Sequence, residues 1–341
     1  MKKPASPIFV CALTLFFSLV LPVPLHPCTS FADYSASPVY GLNFDSQDHD
    51  LRFMLYGGKG FDLLAFEFFQ DDQWNRMAHY TTNGLHNAGL LLYPPRTAVP
   101  KREATDVDII DTWAWMYELP SIDDIRARID RVRFHEGPIR SHHVFYGPEY
   151  GLFCEAGLEG NYVRRSEPKG YLVLTNFEMK KFDGQPPENY HGVGDSRYRS
   201  ALSSLKAVRD LGTMNGSSAM GILHNAAADA GDMKTRCSMV FLPEQLTLTV
   251  AFDRNFDKRF VISLKDWSVA RAWPGSDPTP VHIGKKGVSK ADLLSWSNAD
   301  PADDWKGSPD VPIIPILVLA GALVLFAVLL SVRRARGTRS R

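Results

Sequence analysis

The run Ile313–Val332 (IIPILVLAGALVLFAVLLSV) holds 20 residues without a charge, and it narrows more than any other stretch what the chain can become. A helix needs about 20 residues to cross the ~30 Å hydrocarbon core of a bilayer. Arg333, Arg334, Arg336, Arg339 and Arg341 follow directly, and positive charge behind an apolar span marks the cytoplasmic side. Flanking Pro, Ser and Asp disfavour a buried core helix; a sorting signal whose tail is clipped stands as a second reading. At the other end, Lys2 and Lys3 precede an apolar block from Ile8 to Leu21, with Pro22, Pro24 and Pro27 behind it. That order of positive, apolar and turn-rich regions is a secretory signal. Both ends therefore place the body outside the cytoplasm, with a membrane anchor at its C-terminus.

Roughly 280 residues lie between signal and anchor, enough to bury a core in one large domain or two small ones. Lys and Arg number 38, as do Asp and Glu. This balance gives no electrostatic reason to expect nucleic acid as a partner. Four cysteines are present. Cys11 leaves with the signal. Cys154 and Cys237 sit in apolar, strand-like segments and read as core thiols or as a disulfide, which an oxidising compartment permits.

The pattern along the body is strands, a helical pair, strands, helices, then strands. CTSFADYSASPVYGLNFD, LRFMLYGG and DLLAFEFF alternate apolar groups with turn residues, as hairpins do. NGLHNAGLLLY reads as a turn into a buried strand. DTWAWMYE has aromatics at helical spacing, and Ser121 with Asp124 forms a capping signal for SIDDIRARIDRVR. HHVFYGPEYGLFCEA turns at Gly147-Pro148, and KGYLVLTNF is another strand. Ser196–Leu211 is an amphipathic helix, and Gly221–Ala230 is expected to be one more. CSMVFLPEQLTLTVAF and KRFVISL close the body as hairpins. Elements arriving in blocks favour packed layers over a parallel βαβ array.

Cys28 stands where the signal ends, in LHPCTSF. If processing exposes it, thiol and α-amine share one residue. The amine, with a pKa of roughly 8, can accept a proton near neutrality, and the thiol near 8.5 needs modest help to ionise. Nucleophile and base then travel together. Two other fates remain open on these residues alone. Cleavage after Ala32 would discard Cys28, and lipidation would cap both its groups.

The ordered series CTSF, GLNFD, NGLHNAGLLL, the Trp113–Arg133 helical pair, HHVFYGPEYGLFCEA, YLVLTN, SRYR and TRCSMVF resembles the choloylglycine hydrolase and linear amide hydrolase family. Bile salt hydrolases and penicillin V acylases are members. The resemblance spans most of Cys28 to Leu264. It implies an α+β fold, a four-layer αββα N-terminal nucleophile hydrolase sandwich. It also implies Cys28 as nucleophile, Asp45 of NFD holding the α-amine, Asn176 of LTN near the amine and the oxyanion, and Arg197 of SRY as electrostatic support. Two positions depart from the family pattern. A cation often found near the sulfur is Leu42 here, and the stretch that usually carries an oxyanion Asn reads Tyr93-Pro94-Pro95-Arg96.

The chain is thus expected to comprise a signal peptide (1–27), a hydrolase domain (28–266), a spacer (267–310), a transmembrane helix (311–332) and a basic cytoplasmic tail (333–341). Its expected substrate is a small-molecule N-acyl amide, cleaved at a linear C–N bond through an acyl-enzyme. No cofactor and no metal are expected. His135, His142 and His143 lack a second cluster that would complete a zinc site. An acyltransferase, or an inactive relative acting as an extracytoplasmic binding protein, are the alternatives.

Overall fold

A computed structural model describes residues 28–93, 101–137, 140–157, 160–229, 233–284 and 286–298. The signal, the apolar span, the basic tail and Arg96 lie outside the described residues. Among those described, no helix is long and apolar enough to cross a membrane.

Two antiparallel sheets of eight strands each form the centre. The first runs, in spatial order, Tyr171–Leu174, Cys28–Asp33, Val39–Ser46, Lys234–Leu242, Thr247–Phe252, Arg259–Ser263, Ser268–Arg271 and Val281–His282. The second runs Asn161–Arg165, Gly151–Ala156, Arg140–Tyr146, His86–Leu92, Gln73–Thr81, Asp62–Gln70, Leu51–Gly57 and Val288–Ser289. Helices Asp195–Asp210 and Gly216–Asn225 cover the outer face of the first sheet, and helix Ile122–Ile129 covers that of the second. The layer order is therefore helix, sheet, sheet, helix, the sandwich expected from the sequence.

The Cys28 and Val39 strands are buried along their whole length, because each has a sheet on one face and helices on the other. Period-2 alternation then assigns every side chain to a face. Ser30 Oγ lies 3.0 Å from Tyr146 Oη of the other sheet, so Cys28, two residues earlier, also faces the inter-sheet space. Asn43 Nδ2 donates to the Leu223 carbonyl of a covering helix, so Asp45 faces the helices. Cys28 pairs with Phe44 across the ladder, so these two share a face and Asp45 lies on the opposite one.

Local chemistry sets the helix bounds. The Ser121 side chain accepts the Asp124 amide as expected, opening Ile122–Ile129. The helix expected at 221–230 lies instead at Gly216–Asn225. Asn215 accepts the amides of Ser217 and Ser218 while Ser218 Oγ accepts the Asn215 amide, and this capping box starts the helix five residues earlier. The stretch from 267, read as a partly ordered spacer with a short helical piece near SKADLLSW, is paired with both sheets: Ser268–Arg271 extends the first and Val288–Ser289 the second, while the helical piece is found at Lys290–Asn298. Cys154 and Cys237 are buried free thiols, one in each sheet.

Candidate active site

Four residues singled out in the sequence converge on one point. The edge strand Tyr171–Leu174 places Leu174 opposite Ser30, so Asn176, two residues further, comes level with Cys28. The Cys28 backbone N donates to Asn176 Oδ1 at 2.7 Å. Arg197, one turn into helix Asp195–Asp210, donates from Nη1 to Asp45 Oδ2 at 2.6 Å and from Nη2 to Asn176 Oδ1 at 3.1 Å. Two donors on one oxygen fix the orientation of the Asn176 amide. The side-chain nitrogen donates to the Leu91 carbonyl at 2.7 Å, and the Asn176 backbone carbonyl accepts the Tyr93 amide at 2.8 Å. Asn176 thereby ties the second sheet to the strand that carries Cys28.

The helix carrying Arg197 begins after Gly194, whose φ of 84° lies in the left-handed region. A Cβ there would also meet the Arg197 guanidinium. Glycine is needed twice over, once for backbone shape and once to let the arginine lie flat.

The described hydrogen bonds give Asp45 two partners of its own. Its carboxylate is held by Arg197 and by Thr235 Oγ1, while the Cys28 nitrogen rests on Asn176. Thr235 gains this position through a bulge in its strand: Thr235 pairs with Asp45 and Cys237 with Phe44, leaving Arg236 as the extra residue. Such an insertion re-aims a side chain. Nothing in the residue types TRC signals it beforehand.

Burial dominates the electrostatics. It raises the Cys28 thiol to about 12; the Asp45 charge adds to that, whereas the Asp45 backbone N–H and Arg197 pull the other way. Burial also raises Asp45 to about 6 although Arg197 and Thr235 lower it. Leu42 is buried two residues from Phe44 on the same strand, and brings no charge to the sulfur. In the uncut chain the Cys28 nitrogen is a peptide N–H, so no ammonium assists the thiol.

The thiol side opens on a cavity of about 470 Å³, lined by Cys28, Phe44, Phe68, Trp113 and His143 among others. His143 is kept neutral by burial, which lowers it to about 3, and its Nδ1 lies 3.0 Å from Thr112 Oγ1. His142 faces the opposite way. Its Nδ1 lies 3.2 Å from Glu155 Oε1 and its Nε2 2.7 Å from the Thr175 carbonyl. The residue beside Asn176 is therefore braced by a buried polar pair. His135 stands apart, 3.5 Å from Asp108. The sequence offered the two adjacent histidines but not their opposite duties.

No protein-family model matches the chain, and no curated protein matches it in sequence. Solved structures do. A variant of the conjugated bile acid hydrolase from Clostridium perfringens aligns over 76% of this chain and 98% of its own, with a TM-score of 0.54 at 14% identity. A second variant of that enzyme gives the same values. Penicillin V acylase from Agrobacterium tumefaciens aligns over 76% of this chain and 95% of its own, at 9% identity and a TM-score of 0.49. The chain shares the fold of the bile acid hydrolase, as its ordered motifs led one to expect.

Proposed function

We propose that this protein is an N-terminal nucleophile amidohydrolase acting on linear N-acyl amides. The carrying observation is that Cys28 has its nitrogen on Asn176 and lines a cavity of about 470 Å³. Processing between Pro27 and Cys28 turns that nitrogen into an amine held by Asn176 Oδ1. The amine takes the thiol proton, and Cys28 Sγ attacks the amide carbonyl. Collapse of the tetrahedral intermediate breaks the C–N bond, with the proton passing to the departing amine. Water then releases the acid from the acyl-enzyme by the same base. Arg197 bridges Asp45 to the Asn176 oxygen that holds the amine and acts as a positioning residue. The N-terminal apolar run directs the domain out of the cytoplasm before it is cut away, and the C-terminal run holds the domain on the membrane.

A second reading, an inactive binding protein, is favoured by the raised thiol and by Leu42. N-terminal sequencing of the mature protein discriminates. A start at Cys28, with N-acyl amide hydrolysis that Cys28→Ala abolishes, supports the enzyme; a start at Asp33 ends it.

A further inference from the structure

Asn176 and Arg197 meet at 3.1 Å, yet they lie far apart in the chain. The segment from Phe177 to Gly194 between them carries two short 3-10 turns, Met179–Phe182 and Pro187–Asn189, and no longer element. Ordering such a segment costs conformational entropy at every residue, so it needs contacts of its own to stay closed. Those contacts are aromatic. Phe177 follows Asn176, Tyr198 follows Arg197, and their rings meet edge to face, with centroids 5.3 Å apart and planes at 71°.

Phe182 and Tyr190 complete the cluster. Phe182 packs on Phe177 at 5.6 Å, Tyr190 on Tyr198 at 5.4 Å, and the two stack on each other at 5.1 Å. All four residues are buried. Gly192, with a φ of 144°, passes so close that a Cβ there would stand 2.6 Å from the Phe177 Cβ. Glycine lets the backbone lie against that residue. The ring pair and the Asn176–Arg197 hydrogen bond extend from the same two stretches of backbone, so one contact sets the spacing of the other. The hydrogen bond leaves the torsions of a long arginine to be held, whereas buried rings in contact fix the backbone from which it extends.

We infer that Phe177 and Tyr198 are positioning residues, whose edge-to-face contact holds the Asn176 amide and the Arg197 guanidinium in register at the Cys28 nitrogen. For its catalytic meaning this rests on the hydrolase reading, and it adds two residues to the set of Cys28, Asp45, Asn176 and Arg197. The test follows the Cys28 amide itself, in the full chain labelled isotopically on cysteine nitrogen; Cys28→Ala identifies its signal. Hydrogen exchange of that amide reads its bond to Asn176 Oδ1. The amides of Cys154 and Cys237, each within one of the two sheets, report on the fold as a whole.

Phe177→Leu and Tyr198→Leu keep apolar bulk and lose the ring pair. Each should speed exchange at Cys28 about tenfold, the upper size of an aromatic pair's contribution, and leave Cys154 and Cys237 unmoved. Tyr198→Phe keeps the ring and should exchange as the unsubstituted protein does. Unchanged exchange at Cys28 in both leucine variants, equal acceleration at all three cysteines, or acceleration by Tyr198→Phe as great as by Tyr198→Leu would overturn the inference. Hydrolysis of N-hexanoylaniline is followed separately on the processed protein, where both leucine variants should lower kcat more than they raise KM. Selective exchange at Cys28 with no product from the unsubstituted protein would count against the hydrolase reading alone. Product formed with undiminished kcat by both leucine variants would count against this inference alone.

Discussion

Arg197 holds Asp45 and Asn176 at the same time, at 2.6 Å and 3.1 Å, through two nitrogens of one guanidinium. A planar fork can do this, whereas an ammonium is a single point on a flexible stem. Arg197→Lys should therefore keep the charge near Asp45 and lose the grip on Asn176. Turnover of an N-acyl amide should fall about tenfold or more, with a modest change in melting temperature. Arg197→Ala goes further, leaving Asp45 buried beside Thr235 without a cation. Breaking a buried pair in this way costs about 3–5 kcal/mol. Wild-type turnover by Arg197→Lys would remove the bridge from the mechanism.

Asp45 should set an acid limit on the proposed hydrolysis. Burial raises its carboxyl to about 6, so it is ionised above that pH and neutral below. Protonation removes the charge that Arg197 grips, and kcat/KM should fall as the pH drops through about 6. Stability should move in the opposite sense. A carboxyl whose folded pKa lies above its unfolded value favours the fold most below the unfolded value, and that contribution disappears as the pH rises through about 6. A pH–rate profile together with melts between pH 4 and 8 tests both. An acid limb near pH 4 would show that Asp45 titrates as an ordinary carboxyl or plays no part.

Processing should switch the thiol on. In the uncut chain Cys28 is held near 12 by burial and by Asp45, and its nitrogen bears no charge. Alkylation by iodoacetamide should be slow at pH 8 and should quicken only at strongly alkaline pH. Cutting before Cys28 places an ammonium on the same residue, and a neighbouring cation lowers a thiol pKa. The alkylation rate of Cys28 at pH 8, read by peptide mass, should rise at least about tenfold in the processed protein. Equal rates in both forms would contradict this account of the nucleophile.

The parts of this architecture visible in the sequence are those that local pattern controls. Alternation marked the hairpins, and Ser121 with Asp124 marked a helix start. The order of CTSF, NFD, LTN and SRY brought Cys28, Asp45, Asn176 and Arg197 together before any geometry was known. What stayed hidden depends on register. Whether Asp45 faces the amine or the helices follows from strand parity, and Thr235 reaches it through a one-residue bulge. Arg52, Glu67 and Arg76 lie on three neighbouring strands, and only their pairing shows that two arginines share one acid. Residues 268–298 carried Pro, Gly, Ser and Asp in abundance and read as a spacer, yet their short strands add to exposed edges of both sheets.

His142 provides a stability test that the active-site chemistry does not enter. Both of its ring nitrogens face oxygens, those of Glu155 and of the Thr175 carbonyl. Glu155 Oε1 and Oε2 also accept the backbone amides of Met179 and Lys180 at 2.8 and 3.2 Å. The pair thus pins the loop that carries Asn176 to the second sheet. Glu155→Gln can place its NH2 towards Nδ1 and keep its oxygen for the Lys180 amide, losing only the acceptor of the Met179 amide, so it should melt within a few degrees of wild type. Glu155→Leu leaves two backbone N–H groups and a ring nitrogen buried without partners, at about 1–3 kcal/mol each. For a domain of this size its melting temperature should drop on the order of 10 °C. Thermal melts of the two variants side by side decide the matter: if Glu155→Leu melts with Glu155→Gln, the brace contributes nothing to holding Thr175 and Asn176 in place.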